Sequence, residues 1–565
     1  MKNHQMNPES TTDRRDFIKL SAFSFFSLGV PKHSEKILNA VAGKSLIPLN
    51  IGPIQRIKNS EFQSLDFNGD NINRPHDILW NIDGYLAKKG GIPAPVEQRK
   101  VVIVGGGMSG LISAWKLRQL NPVLLEQDDF LGGNSKGEIL NNSLFSIGAA
   151  YITVPDSGSE IEKFLKELNL LDELKQESAE EVKVSFQKKL MSDFWKGASD
   201  PTRAQEFIRV DEELKRIYNE SFPDIPWSKD SALSLDEFKK LDSMNFEKWL
   251  ALTFGEVHPH ILEYFQLYCW SSFNASIDEV SAVQALNFLA AEVAGVLALP
   301  GGNAAITQRI YEKLLKILSA DSLRAGAMVL RVEAKKEKEV WVTYENSQGE
   351  IKTIRAENCI VASPKFVAKH IVHDLPAEQS ALFDKISYRA YIVANALFEG
   401  NFQSPAYDVY CLDGAKPNSP TPMNVPKRAF SDVCFGTWAA GDQTQNGVLT
   451  IYKALPYDGA RQFLFSPMAH EKHKNLILKD LPEFAKTAGV DLSKMKGLRM
   501  TRWGHSIPVA QVNLLASVQL EKMNRPLKNS IFFANQDNWA NPAFECAHDV
   551  AHEAALAIGV AFARK

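Results

Sequence analysis

The chain has 565 residues, 45% of them hydrophobic and 10% aromatic, enough to fill large cores in more than one folded unit. Its 64 Lys and Arg against 67 Asp and Glu leave a net charge of −3, without the basic excess that a nucleic-acid binder carries. The five cysteines, Cys269, Cys359, Cys411, Cys434 and Cys546, lie far apart with no CxxC, which argues against a zinc centre or disulfide framework and leaves open one bridge such as Cys411 to Cys434.

The first feature along the chain is TTDRRDFIKLSAFSFFSLGV, in which Arg14-Arg15 precede Phe17, Lys19 and a short apolar run to Val30. It resembles a twin-arginine export signal. The run is shorter than the ~20 apolar residues that span a bilayer, and Ala40-Val41-Ala42 offers a small-residue cleavage site. Residues 1–42 are therefore read as a signal peptide for the twin-arginine translocation machinery, and the mature protein as periplasmic without a stable transmembrane span. That route carries folded proteins, which suits a chain that takes up a bulky cofactor before export. Residues 43–99 lack periodicity and read as an N-terminal extension packed on the main body, ending in the Gly/Pro linker KKGGIPAPVEQRK. His76 and Asp77 stand beside Ile78, Leu79 and Trp80, which staple a turn.

Residues 100–104 form a β-branched run suited to a buried parallel strand. They lead into Gly105-Gly106-Gly107-Met108-Ser109-Gly110 and a helical pattern to Leu120; residues 122–125 read as the next strand, ended by Glu126 and Gln127. Glycines between strand and helix, with an acid about 20 residues on, are the dinucleotide-binding fingerprint. Gly105 permits the tight turn and Gly107 lets the backbone approach a pyrophosphate at the helix N-terminus, with Met108 and Ser109 in the same turn. Gly110 lets helix and strand pack closely, and Glu126 accepts from the adenosine ribose.

A second glycine pair, Gly132-Gly133, then Asn134, and Gly148-Ala149-Ala150 follow in LGGNSKGEILNNSLFSIGAAYI. With the first cradle they resemble the flavin-containing amine oxidase family, a broad group that includes protoporphyrinogen oxidase and phytoene desaturase relatives. The resemblance implies FAD and an α/β fold. An FAD-binding Rossmann-like (GR2-type) domain of residues 100–156, 300–365 and 496–565 would be interleaved with an α+β substrate-binding domain of residues 157–299 and 366–495. Asn134 stands where the family has Arg, so one cationic contact near the phosphates is lost, with Lys136 placed to compensate. Residues 298–314, ALPGGNAAITQRIYEKL, resemble the family's Pro-Gly-Gly turn into a helix. Val332 falls at the adenine-side backbone contact, and CIVASP resembles the strand returning to the flavin domain.

In IFFANQDNWANPAFECAHDVAHEAALAI, Asn535 and Gln536 replace the family's Gly-Glu, and Gln536 or Asp537 is expected on the ribityl or pyrophosphate portion. Phe544 and Glu545 open the helix that packs beneath the cofactor. His548 and His552 have metalloprotease spacing but no Glu base and no third ligand, so no metal is assigned. The apolar run 280–299 is interrupted by Gln284, Asn287 and Glu292 and reads as a buried helix.

The resemblance also implies the chemistry: a hydride passes from substrate to the flavin, which supplies the difficult step. Many family members carry a Lys near the flavin; Val393 takes that position here, with Asn395 nearby, and Ala543 stands where one ring of the aromatic cage would come from. Trp503 matches a family Trp, and no Cys follows it, so FAD is expected to be noncovalent. His505 is a candidate base or substrate-orienting group, and Trp438, Trp503 and Trp539 are candidate pocket walls. The favoured reading is oxidation of a C–N bond in an amine or polyamine-like small molecule. Desaturation or isomerisation of an isoprenoid or lipid-like substrate is the alternative, and a non-enzymatic exported flavin-binding protein a third. The sequence does not name the electron acceptor.

Overall fold

The computed structural model describes residues 51–179, 182–412 and 428–563; the signal-peptide reading of 1–42 and residues 43–50 of the extension lie outside them. The strand read from residues 100–104 runs Glu97–Val104, three residues longer than the apolar pattern indicates, because its exposed half also pairs with Ile351–Val361. Its last four residues are buried on both faces, as a parallel strand covered by helices requires. It is central in a seven-stranded sheet ordered Leu323–Arg324, Val123–Leu125, Glu97–Val104, Ile351–Val361, Glu339–Glu345, Met328–Lys336, with Ile531–Phe533 also on Ile351–Val361. Helices Met108–Lys116, Ala304–Leu315 and Phe544–Ala563 share one core with this sheet, so chain ends remote in sequence meet.

An eight-stranded sheet forms the second body, ordered Lys189–Met191, Lys183–Phe186, Asp408–Cys411, Asp432–Phe435, Val448–Leu455, Tyr388–Phe398, Met495–Pro508, Asn68–Gly69. Met495–Pro508, which the sequence reading places within the FAD-binding segment 496–565, pairs along Tyr388–Phe398 instead. Its buried stretch is paired along one edge by Tyr388–Phe398 and, at Thr501 and Arg502, along the other by Asn68–Gly69. Segment 157–299 is largely helical, with Ala204–Glu220, Pro259–Phe273 and Ala282–Ala291 packed in an aromatic-rich core. The apolar run 280–299 breaks at Gly295 and ends as the strand Val296–Ala298. No helix among the described residues is long and apolar enough to cross a membrane. All five cysteines are buried and none is in a disulfide, so the Cys411–Cys434 bridge is not formed.

The extension is integrated into both bodies. Ile54–Arg56 runs parallel to Gly137–Ile139, and Asn68–Gly69 runs parallel to Thr501–Arg502. The bodies are joined by a buried bidentate pair: Arg499 Nε and Nη2 donate to Glu138 Oε2 and Oε1 at 2.5 and 2.7 Å, and Asn68 Nδ2 adds a bond of 2.8 Å. Replacing Glu138 by Ala leaves Arg499 buried without its partner, and chemical denaturation is expected to show a loss of about 3–5 kcal/mol. A loss under about 1 kcal/mol would mean that the pair does not fasten the two bodies.

Candidate active site

One cavity of about 910 Å³ runs between the two sheets. That is ample for a dinucleotide and a small substrate together. At its floor the two glycine turns meet: Gly132 N donates to Gly106 O at 2.8 Å, and Gly107 bridges to Gly132. This pairing keeps the floor free of side chains. Gly110 lies behind the cavity, where a Cβ would stand 1.9 Å from Gly105 O, so helix and turn fit only with glycine. The first turns of Met108–Lys116 and Phe544–Ala563 face the cavity, and their N–H groups, which have no acceptor within the helix, favour an anion.

Most residues singled out in the sequence line this cavity: Gly105, Gly107, Met108, Ser109, Glu126, Gln127, Gly133, Asn134, Gly148, Ala149, Ala150, Trp503, His505, Gln536, Phe544 and Glu545. Gly110, Gly132, Val332 and Asp537 do not, and each has a structural task. Val332 is buried in the sheet and its carbonyl accepts from His373 N at 2.9 Å; Met328 and Val329 of the same strand line the cavity. Asp537 is fully buried behind the wall, where Oδ2 accepts from Lys365 N at 2.8 Å and Tyr388 Oη at 2.5 Å. Gln536 alone of that pair fronts the cavity.

Glu126 accepts from Gly106 N at 2.7 Å and Asp128 N at 2.9 Å, and burial, with Asp128 beside it, raises its pKa. Lys136 pairs with Asp128 at 2.7 Å, which cancels the charge expected to replace the family's Arg. Asn134 Nδ2 donates to Ser506 O at 2.9 Å, tying the second glycine turn to the substrate sheet. The adjacent segment 146–150 is fastened by Asn395 on Ser146 O, Trp503 on Ile147 O, Tyr452 on Gly148 O and Tyr407 on Ala150 O, at 2.8–3.0 Å.

His505 stacks on Phe366 with ring centroids 3.8 Å apart, and its Nε2 is engaged by the Arg461 guanidinium. Burial, then Arg461, pull its pKa down to about 3. A ring of such low basicity, with Nε2 already engaged by Arg461, is poorly suited to take a proton near pH 7, against the base role read from the sequence. Val393, at the position of the family's Lys, is a cavity wall, as are Ala543 and Trp539; Trp438 packs outside, against Tyr407 and Lys175. His548 and His552 stack with centroids 6.0 Å apart, and His548 also packs on Phe164, as residues of the cofactor helix.

Sequence reasoning missed the acidic end of the cavity. Tyr151 Oη donates to Glu292 Oε1 at 2.8 Å, and Thr153 N donates to Glu545 Oε1 at 2.9 Å. Asp408 and Cys434 are cross-strand neighbours, and ligand-type atoms of Asp408, Asp432 and Cys434 lie within 4.8 Å of one another. Tyr391, Tyr410 and Tyr452 complete this wall. Burial raises Glu292 and Asp432 each to about 7; burial, then Asp432, push Asp408 well above its usual value. Among the described residues none of these three acids forms an ion pair. The available signal was an Asp opening each of two otherwise apolar strands, DVYC and DVCF, and Glu292 interrupting an apolar run.

The sequence model described as flavin containing amine oxidoreductase matches residues 108–542. The chain belongs to that family. As a member of it, the protein is an FAD-dependent oxidoreductase, and the side-chain-free floor, two helix N-termini and Glu126 suit that dinucleotide. The oxidoreductase PigB of Serratia sp. (strain ATCC 39006) is 21% identical over 504 residues, covering 78% of this chain and 72% of PigB. A wild-type putrescine oxidase bound to putrescine has a TM-score of 0.59 at 18% identity, covering 82% of this chain and 99% of its own. Cyclohexylamine oxidase from Brevibacterium oxydans IH-35A gives 0.58 at 18%, with the same coverage of 82% and 99%. Gly110→Ala is expected to push the first helix off its turn. The purified family member should then lose its visible flavin absorbance and about 1–3 kcal/mol of stability. Retention of the yellow colour at full occupancy would show that this packing does not shape the cofactor floor.

Proposed function

We propose that this oxidoreductase oxidises the C–N bond of an amine or polyamine-like substrate, with FAD held noncovalently, after export to the periplasm by the twin-arginine route. The observation that carries the substrate reading is the set Glu292, Asp408 and Asp432 on one cavity wall, without a basic partner among the described residues. Unpaired carboxylates in such a place are costly to ionise, and an ammonium group supplies the missing charge. The faces of Tyr391, Tyr410 and Tyr452 suit a cation as well. The relatives named for putrescine and cyclohexylamine agree with this class.

FAD supplies the acceptor for the hydride, that is, for two electrons and a proton's mass from the carbon beside nitrogen. The residues prepare the amine. Asp408 and Asp432 draw the ammonium inward, and Glu292, oriented by Tyr151, takes one of its protons. The nitrogen lone pair then stabilises the positive charge left as the hydride departs, and the iminium product is open to hydrolysis. Trp503 and the tyrosines exclude water from the reacting carbon. Val393 offers no amine of its own in this wall.

Glu292 works as a carboxylate, so its activity belongs above its pKa. The rate of flavin reduction per unit of amine should rise as pH increases through about 7 and fall below it. Anaerobic rapid mixing with amines of graded length tests the reading. Reduction by amines, none by polyenes, and loss of the limb near pH 7 in Glu292→Gln are expected. Bleaching by polyenes alone would favour desaturation, and bleaching by dithionite alone a non-enzymatic role. For export, Arg14→Lys with Arg15→Lys should leave the folded protein in the cytoplasm, as read by cell fractionation; unchanged periplasmic yield would refute the twin-arginine route.

A further inference from the structure

The stretch from Asn68 to Trp80 precedes the span that matches the family, yet it crosses the cavity from one body to the other. At one end, Asn68–Gly69 pairs with Thr501–Arg502 of the substrate sheet. Gly69 sits at φ +102, and a Cβ there would lie 2.4 Å from Arg502 O, so only glycine allows the approach. Asp70 then accepts from Arg502 Nε at 2.8 Å and from Gly504 N at 2.6 Å. At the other end, Arg74 Nη2 donates to Glu345 Oε2 at 2.9 Å on the FAD-domain sheet. Ile78, in the helix Arg74–Leu79, is buried against Met328 and Leu330.

Ile72 between Asp70 and Arg74, and Pro75, His76 and Leu79 in the helix that Arg74 opens, line the cavity. They face its nucleotide end. Met328 both packs on Ile78 and lines the cavity beside Val329, Ala327 and Glu126, the acid placed for the adenosine ribose. His76 Nδ1 lies 2.6 Å from Ile72 O, which fixes the orientation of its ring. What the segment offers is an apolar cover, suited to the flat face of a purine. The anchors lie on different bodies, and each is a charge-assisted hydrogen bond.

We propose that residues 70–80 form a cofactor-retaining strap that completes the adenosine end of the FAD site and must lift at one anchor before FAD can leave. The inference rests on FAD binding, which family membership gives, and is independent of the amine reading. The strap contributes little to recognition of the phosphates, which the helix N-termini provide. Its effect is on the rate of release, where most differences between related complexes reside.

Two measurements test it. Deuterium uptake by residues 70–80 of the wild-type protein should be about tenfold slower with FAD than after FAD removal. In Asp70→Asn combined with Arg74→Ala, FAD release on dilution, followed by flavin fluorescence, should be about tenfold faster or more. Circular dichroism of the FAD-free variant should match that of the FAD-free wild type. Equal deuterium uptake with and without FAD overturns the proposal, and it does so whether or not the variant folds. Unchanged release from a folded variant overturns it too. Neither readout involves an amine, so failure of the substrate assignment leaves the result intact.

Discussion

The organising constraint is that two glycine turns must touch backbone to backbone. Gly132 N on Gly106 O brings the segment after the second strand onto the turn after the first. Any side chain between them would occupy the floor on which a pyrophosphate has to lie. The flanking structure serves this contact. Gly110 lets the helix sit close behind the turn, Pro53 and Ile51 of the extension brace the second turn from outside, and Thr307 bonds Ser135 O from the helix Ala304–Leu315. Anion recognition then comes from helix dipoles and backbone N–H groups. This explains how the site dispenses with the family's Arg, although Asn134 stands in its place and Lys136 is neutralised by Asp128.

The same contact transmits position from one body to the other. Segment 146–150 follows the second glycine turn by one hairpin and is held by Asn395, Tyr407, Tyr452 and Trp503, all from the substrate sheet. The cofactor floor and the substrate wall are thus one hydrogen-bonded construction. The buried Arg499–Glu138 pair sits at their junction, which fits a role in fixing register more than in adding net stability.

The nucleotide half of the site was legible because its chemistry is local: glycines, a strand before, a helix after and an acid beyond, within a short stretch. The assignments that changed depended on register or orientation. Val332 and Val329 are three apart in one strand, and only the sheet pairing shows which faces the cavity. Asp537 and Gln536 are neighbours, yet the 3-10 turn at Gln536–Asn538 turns Asp537 inward to cap the helix Lys365–Ile371. The acidic wall was illegible because Tyr151, Glu292, Asp408 and Asp432 come from four elements that meet only after folding. His505 illustrates a further limit: its lowered pKa comes from burial and then from Arg461, forty-four residues away in the chain.

On the amine reading proposed above, the charges in the cavity follow from placing two ligands of opposite sign in one enclosure. A dinucleotide brings negative charge, and an ammonium brings positive charge. Mobile ionised side chains for both, facing each other across a low-dielectric gap, would pair with one another and leave neither ligand served. The nucleotide end therefore uses fixed dipoles and a Lys136–Asp128 pair that is already satisfied. The substrate end has carboxylates whose pKa values burial raises, to about 7 for Glu292 and Asp432 and well above its usual value for Asp408. An incoming ammonium stabilises their charged form and lowers their pKa values. On the same reading, a proton released becomes part of binding, and the arrangement would separate an amine from a neutral molecule of the same shape.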